Sequence, residues 1–587
     1  MERWFSADTV EKNRTIIVFL FFAVFFITGL FVAGDYGVPW DEFIQRDFGI
    51  AAHRHAFEGD KALLSLREKY YGPAFEMLLV AVERTFGPKD PRRVIFIRHL
   101  VTFLMFFTGA VFFYFLCKIH FRSWKLALLG SLMLILSPRV FAHAFYNSKD
   151  IPCMSLFIIC AYTLIRYLDD KSLKNVFLHG LACALLVDVR IMGVIMPVLT
   201  VFLLLDELWV KRSHFITPFY CGWLQKPLAA FSRQKVLNVA HRLRFRAFCP
   251  SGLAKGFFAQ PRYKRGYERA SRKITKEKKD ILISLPLYLI VLVFFTVFFW
   301  PVLWERPFHN FVMAFTEMSL YPYPVTVLYL GNYIDSTNVP WHYMPVWILI
   351  STPAVYVLLF FSGLAVLTAK LIKNAGKPYP VSRNEFIFLY WFFVPVTAVI
   401  VLRSALYDAW RQMFFVYPAF LVLSLTGLRS IFEFMRSRSR RAVRGIGVLA
   451  LVSVLAAGMA CAAWFTVRYH PHQNVYFNVL TGGMRKARKN FDLDYWGLSY
   501  RKALEYIAEN DPAKTIKVYV VDYPGIISYF ALAPADRKRI IYVNSPEKAD
   551  YFVSNYRWHR GEYPYSDEFF SIKVGGEKIM VVYRLEN

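Results

Sequence analysis

The chain lacks the usual cradles of soluble nucleotide chemistry. It has no GxGxxG, no P-loop and no serine elbow, which argues against a bound nucleotide or an acyl-enzyme intermediate. Its seven cysteines form no CxxC, and most lie in apolar stretches. They read as small hydrophobes, excluding a disulfide or zinc framework. His53/His55 and His470/His472 have metal-like spacing but no third partner. There is no internal repeat. Charge is missing from long blocks: Thr15–Val32 carries none and is about long enough to cross a bilayer core of roughly 30 Å. No small-residue cleavage site follows it, so it is expected to be an anchor rather than a removable signal.

Of 587 residues, 56% are hydrophobic and 18% aromatic. The mean hydropathy is +0.35, too high for a soluble protein. Apolar blocks at 15–32, 100–117, 126–136, 151–165, 176–187, 191–205, 281–304, 344–369, 386–402, 414–428 and 445–467 predict about eleven helical spans, since backbone groups in lipid must be satisfied internally. Arg14, Lys118/Arg122/Lys125, Arg166/Lys171/Lys174, Lys370/Lys373/Lys377 and the run Arg436–Arg444 fall on alternate connections, which the positive-inside rule makes cytoplasmic. An odd number of spans then puts the C-terminal tail on the opposite side. The expected fold is mainly α: a polytopic membrane helix bundle with a small C-terminal α/β domain outside the cytoplasm.

Four regions follow: an N-terminal helical module at 1–209 with a long outer loop at 33–92, a basic cytoplasmic insert at 210–280, further spans at 281–468, and a soluble α/β domain at 469–587. In that last part a helix is expected at Leu498–Glu509, and strands at Thr515–Val521, Arg539–Val543, Tyr551–Ser554 and Ile579–Tyr583. The net charge is +29, about half of it within the insert. Beside a membrane such a run holds anionic lipid headgroups. With no binding module accompanying the charge, nucleic acid is not expected as a partner.

The polar residues of interest sit on the outer connections. Asp41 and Glu42 open the first, where Ile44, Phe48 and Ala51 repeat at helical spacing with Arg46, Asp47 and Arg54 turned away. A second helical stretch is expected at Ala74–Val82. The second connection, Ser137–Pro152, reads as a short loop carrying Asn147, Lys149 and Asp150. Asp188 and Arg190 lie in a third, and Arg403, Tyr407, Asp408 and Arg411 in a fourth. Transfer of a sugar from a lipid phosphate needs a carboxylate to take the acceptor's proton and cations to hold the departing phosphate. Carboxylates on two connections and arginines on two others suit that division. Structural readings compete: Asp41-Glu42 as a helix cap, Lys149-Asp150 as a turn and cap, Asp188/Arg190 as an ion pair, and Arg403 and Arg411 as snorkelling charges.

Asp41-Glu42 with Arg46 following, and Asn147-Ser-Lys149-Asp150-Ile-Pro152, resemble motifs of the GT-C superfamily of integral-membrane glycosyltransferases. Within it they are most similar to the family-39-like branch of protein O-mannosyltransferases and the aminoarabinose transferase. Leu320–Gly331, Tyr407–Pro418 and His470–Tyr500 also look like segments of that branch. The resemblance implies a polyprenyl-phosphate-sugar donor and a lipid, glycan or protein acceptor, in the inner membrane with the site extracytoplasmic. It implies Asp41 as general base, Glu42 positioning Asp41 or the acceptor, and Asp150 near the donor phosphate or a metal. Lys149, Arg190, Arg403 and Arg411 are phosphate-contact candidates chosen on charge and topology, with Arg46, Asn147 and Tyr407 beside them. The sequence shows no required cofactor; a divalent metal is possible but unsupported. The alternative class is a transporter or flippase of a lipid-linked substrate, which would bury charge mid-span and repeat its halves. A non-catalytic scaffold would leave the polar loops unexplained.

Overall fold

The computed structural model describes residues 13–213, 261–319, 324–377, 379–438 and 440–586. Most of the basic insert, and residues 320–323 of the segment Leu320–Gly331, lie outside them. The described residues fall into two compact units. One comprises residues up to 162, 182–194 and 294–587; the other comprises 163–181 and 195–293.

Helices begin with α1 (Arg14–Val32), α2 (Glu42–Glu58), α3 (Ala74–Phe86) and α4 (Pro91–Phe121). They continue through α5 (Trp124–Ile135), α6 (Pro138–Tyr146), α7 (Asp150–Asp169), α8 (Leu173–Val189), α9 (Ile195–Ser213) and α10 (Pro261–Phe299). After α11 (Pro307–Ser319) and a two-stranded hairpin, β1 (Thr326–Tyr329) and β2 (Asn332–Asp335), come α12 (Tyr343–Ser351), α13 (Ala354–Lys373), α14 (Arg383–Val401), α15 (Tyr417–Arg436) and α16 (Arg441–Arg468). Among the described residues nine helical stretches are long and apolar enough to cross a membrane, or ten if α5 and α6, bent by 69° at Ser137-Pro138, count as one broken span. The expected span at 176–187 is α8, a helix of only 17 residues.

Two expectations about this part need correction. Residues 138–146 are helical, not loop: Pro138 stands at the first helical turn, where its missing N–H is harmless, and all nine residues of α6 are buried. The apolar run 344–369 is not one span, because Thr352-Pro353 breaks it into α12 and α13. The outer helix expected from Ile44, Phe48 and Ala51 is present as α2. It buries Glu42, Gln45, Phe48, Gly49 and Ala52, while Ile44 is exposed.

Within the larger unit, α13 and α15 approach backbone to backbone. A Cβ on Gly363 would collide with the Leu423 carbonyl, and one on Gly427 with that of Leu359. Small residues at such crossings let membrane helices pack closely without a hydrophobic driving force. In the smaller unit the ring nitrogens of His179 lie 2.9 and 2.8 Å from the hydroxyls of Thr163 and Thr200. Tyr167 donates to Ser284 at 3.0 Å.

The C-terminal part holds α17 (Tyr500–Asn510) and a five-stranded sheet ordered β4-β3-β5-β7-β6, with β3 (Ile516–Val520), β4 (Ile540–Tyr542), β5 (Tyr551–Ser554), β6 (Glu568–Val574) and β7 (Glu577–Arg584). β3 pairs parallel with β4 and β5, while β7 runs antiparallel to β5 and β6. The four expected strands are present; β6 was not anticipated. This part belongs to the same compact unit as the N-terminal loops. Arg501 donates to the carbonyls of Gly34 and Tyr36, and Arg537 pairs with Asp90 at 2.6 Å.

Candidate active site

Asp41 occupies the N-cap position of α2, yet its side chain makes no capping hydrogen bond. It turns instead toward Lys149 Nζ at 3.7 Å and Arg411 Nη2 at 3.9 Å. Neither approach is a hydrogen bond, and no described residue donates one to this partly exposed carboxylate. Lys149 also lies 4.9 Å over the ring of Tyr71. Burial lowers the Lys149 ammonium pKa, Asp41 raises it, and Arg190 and Arg411 add to the lowering.

Asp150 has the opposite character, being almost fully buried with both oxygens occupied. Arg190 bonds one; Arg411 Nη1 at 3.2 Å and Asn147 Nδ2 at 2.8 Å hold the other. Asn147 does the capping, its Oδ1 accepting from the backbone N–H of Asp150 at 2.9 Å. This leaves the Asp150 carboxylate to the arginines. The close approach of Gly72 to the Asp188 carbonyl, where a Cβ would collide, brings the loop before α3 to the end of α8, next to Arg190.

Arg411 lies just before α15 and is 2% exposed. It meets Asp150, Asp41 and, at 3.3 Å, Asp408; its guanidinium lies 5.0 Å over Tyr407 and 4.6 Å over Trp496. Asp408 takes a left-handed backbone, φ 54°, and also binds Arg557 at 3.0 Å. Three carboxylates (Asp41, Asp150, Asp408) and four cations (Lys149, Arg190, Arg411, Arg557) are thus joined in one chain of close charge contacts. The Nε atoms of Arg190, Arg411 and Arg557, and the Tyr146 hydroxyl, are buried without a hydrogen-bond partner among the described residues. Orphaned donors of this kind cost about 1–3 kcal/mol each where neither water nor ligand meets them. Beside them lies a small recess lined by Asp41, Glu42, Tyr146, Asn147, Lys149 and Trp496.

Of the other sequence candidates, Glu42 borders the same recess, but neither Glu42, Arg46 nor Arg403 pairs within the charged cluster. Glu42 points away from Asp41 into a buried cluster in which Arg98 binds Glu42, Glu76 at 2.7 Å and Glu83 at 3.0 Å. Burial raises the Glu42 pKa and the Arg98 charge pulls it back. Arg46 belongs to the same cluster, bonding Glu83 at 2.9 Å. Arg403 is exposed with φ 48°, and no ion pair of the charged site includes it. Asp188 is not the partner of Arg190. Its carboxylate is buried with neither oxygen bonded among the described residues.

Sequence reasoning missed Arg98, Trp496 and Arg557. Arg98 carried a usable signal, a charge abutting an apolar run, but the expected span began two residues later. Among the described residues no three of His, Cys, Asp and Glu gather as a metal site. Asp150, with its oxygens held by Arg190, Arg411 and Asn147, does not fit a divalent ion as it stands.

Residues 93–224 match the family model described as dolichyl-phosphate-mannose-protein mannosyltransferase. The match marks the chain as a glycosyltransferase. It bears out the resemblance read from the sequence, and the matched segment of this glycosyltransferase contains Asn147, Lys149, Asp150 and Arg190. Among solved structures the chain is similar to ArnT from Cupriavidus metallidurans bound to undecaprenyl phosphate, at 12% identity and a TM-score of 0.44, over 97% of this chain and 98% of that one. It is also similar to the Archaeoglobus fulgidus oligosaccharyltransferase in complex with Zn and sulfate, at 12% identity and a TM-score of 0.38, over 89% of this chain and 64% of that one. No curated protein matches the chain significantly.

Proposed function

We propose that this glycosyltransferase moves a sugar from a polyprenyl-phosphate donor to a hydroxyl of an extracytoplasmic lipid, glycan or protein, by a single inverting displacement. The observation that carries the reading is the contrast between two carboxylates in one cluster. Asp150 is saturated by arginines, whereas Asp41 is held near two cations and accepts no hydrogen bond from a described residue. Asp41 therefore has lone pairs to take the proton of an acceptor hydroxyl as its oxygen bonds to C1 of the sugar. The C1–O bond to the phosphate breaks, and the electron pair leaves with the polyprenyl phosphate. Arg411 and Lys149 neutralise the growing negative charge, and Asp150 with Arg190 holds Arg411 in place. The donor class is supported by the dolichyl-phosphate named in the family description. The charges of the site lie at helix ends rather than mid-span, which favours a surface reaction over a transport path.

The test is transfer from a synthetic polyprenyl-phosphate sugar by purified protein. Asp41→Asn should lower turnover about 10²–10⁴-fold, the usual worth of a general base, with donor binding kept. Full turnover in that variant excludes the base role.

A further inference from the structure

A wider recess, of about 850 Å³, lies among the ends of α4, α13, α14 and α15. Helix α15 begins just after Arg411 and carries Arg429 and Glu433 near its other end. The recess and the Asp41 cluster therefore stand at opposite ends of one span.

Cations outnumber carboxylates in its lining: Arg122, Lys370, Arg383 and Arg429 against Glu385 and Glu433. Both carboxylates are already paired. Lys370 holds one Glu385 oxygen at 2.6 Å, and the other accepts from the Ser382 backbone N–H at 2.8 Å in a capping box. Arg429 holds Glu433 at 2.7 Å. Arg122 makes no ion pair with any described residue. It closes α4 in a left-handed backbone, φ 53°, a place glycine usually takes. His120 meets Phe121 and Phe388 edge-on, and its ring nitrogens make no hydrogen bond with a described residue.

The lining changes character along the spans. Val366 and Thr426 lie one helical turn inside Lys370 and Arg429 on the same helix faces, and Ile119 lies inside Arg122. The Thr426 hydroxyl is taken by the Val422 carbonyl at 3.0 Å, so this deeper layer offers little polarity. A step from charge to hydrocarbon within one turn matches a phospholipid at the level where its headgroup meets its chains. A soluble phosphate would have no use for the deeper layer.

We propose that this recess seats the headgroup of an anionic phospholipid in the leaflet opposite the Asp41 cluster, its phosphate among Arg122, Arg383 and His120. Basic pockets between spans suit such headgroups. The binding does not depend on the transferase reading, and the positive-inside rule makes the leaflet the cytoplasmic one.

The test uses the purified full-length protein, stripped of lipid in dodecyl maltoside. Native mass spectrometry would titrate dioleoyl phosphatidylglycerol and dioleoyl phosphatidylcholine. One phosphatidylglycerol should bind about tenfold more tightly than phosphatidylcholine, and Arg122→Asn and, separately, Arg383→Gln should each weaken it about fivefold. Asparagine accepts a left-handed backbone, so Arg122→Asn removes the charge and keeps the turn. Lys125→Gln, at an exposed cation outside the recess, should leave the affinity unchanged. Glycerol 3-phosphate should not displace the lipid. Equal affinity for the two lipids, or an affinity that neither recess substitution lowers, overturns the proposal. So does a loss at Lys125→Gln as large as at Arg122→Asn, which would reduce the site to a diffuse charged face. Displacement by glycerol 3-phosphate would overturn it too, by assigning the recess to a soluble phosphate.

Discussion

Arg411 meets three carboxylates and two aromatic rings while keeping one N–H without a partner. A planar guanidinium can satisfy such a surround; an ammonium cannot. Arg411→Gln should reduce turnover at saturating donor by roughly 10²-fold or more, and Arg411→Lys should recover only part of it, as read by kcat and donor KM together. Recovery to wild-type turnover in the lysine variant would show that charge alone suffices there. Arg403→Gln should leave both constants unchanged, because its side chain stands exposed and outside the cluster. From the sequence, Arg403 and Arg411 were equivalent: two arginines on the one connection between two apolar blocks. What separates them is the turn at Asp408-Ala409, both left-handed, φ 54° and 63°, and no residue-type pattern in that segment announces it. The direction of the Glu42 carboxylate was not legible for a similar reason: adjacency to Asp41 says nothing about direction once both sit at the start of a helix, where successive side chains diverge by about 100°.

Helix α2 is fixed to α3 and α4 by the cluster of Arg98 with Glu42, Glu76 and Glu83, and Ser148 donates to Glu76. Glu42 follows Asp41 and Ser148 precedes Lys149, so this buried network sets the spacing of the reacting pair. Arg98→Met should destabilise the protein by about 3–5 kcal/mol, seen as an earlier thermal transition in detergent, because it leaves buried carboxylates uncompensated. In the C-terminal sheet region, burial raises the Asp522 pKa to about 6. A carboxyl raised above its unfolded value binds its proton better when folded, so stability is full below pH about 4 and is lost as pH rises toward 6. Asp522→Asn should therefore raise the melting temperature at pH 7.5, by an amount equivalent to about 1–3 kcal/mol, and change little at pH 4. A gain of equal size at both pH values would contradict the assignment. Legibility at this scale followed amphipathicity. Helix α3 is strongly apolar and β3, β4, β5 and β7 show β-branched runs, whereas α2 was placed by Ile44, Phe48 and Ala51 although its buried face includes Glu42 and Gln45 and leaves Ile44 exposed. Helix α6 is buried all round and bounded by turn signals, so it read as a loop; β6, with Glu568, Ser571 and Lys573 among its seven residues, is too polar for a strand signal.

For the whole molecule, the proposed reading takes the connections rich in Lys and Arg as cytoplasmic and the charged site as lying on the other side. Single cysteines at Lys61 or Asp567 should react with a membrane-impermeant maleimide in intact cells, and one at Lys377 only after permeabilisation. The reverse pattern would invert the topology and remove any access to an extracytoplasmic acceptor. The count of spans was readable from apolar blocks to within one or two, because lipid demands long uncharged helices. The convergence of residues 41, 149, 150, 190 and 411 was not readable, since it depends on how separate helix ends come together. The decisive measurement is therefore an experimental structure of the protein with a polyprenyl phosphate bound. The phosphate oxygens should lie within about 3–4 Å of Arg411 and Lys149, with Asp41 across from them on the side open to an acceptor. A phosphate seated away from both cations, or one that fills the space beside Asp41, would contradict the account.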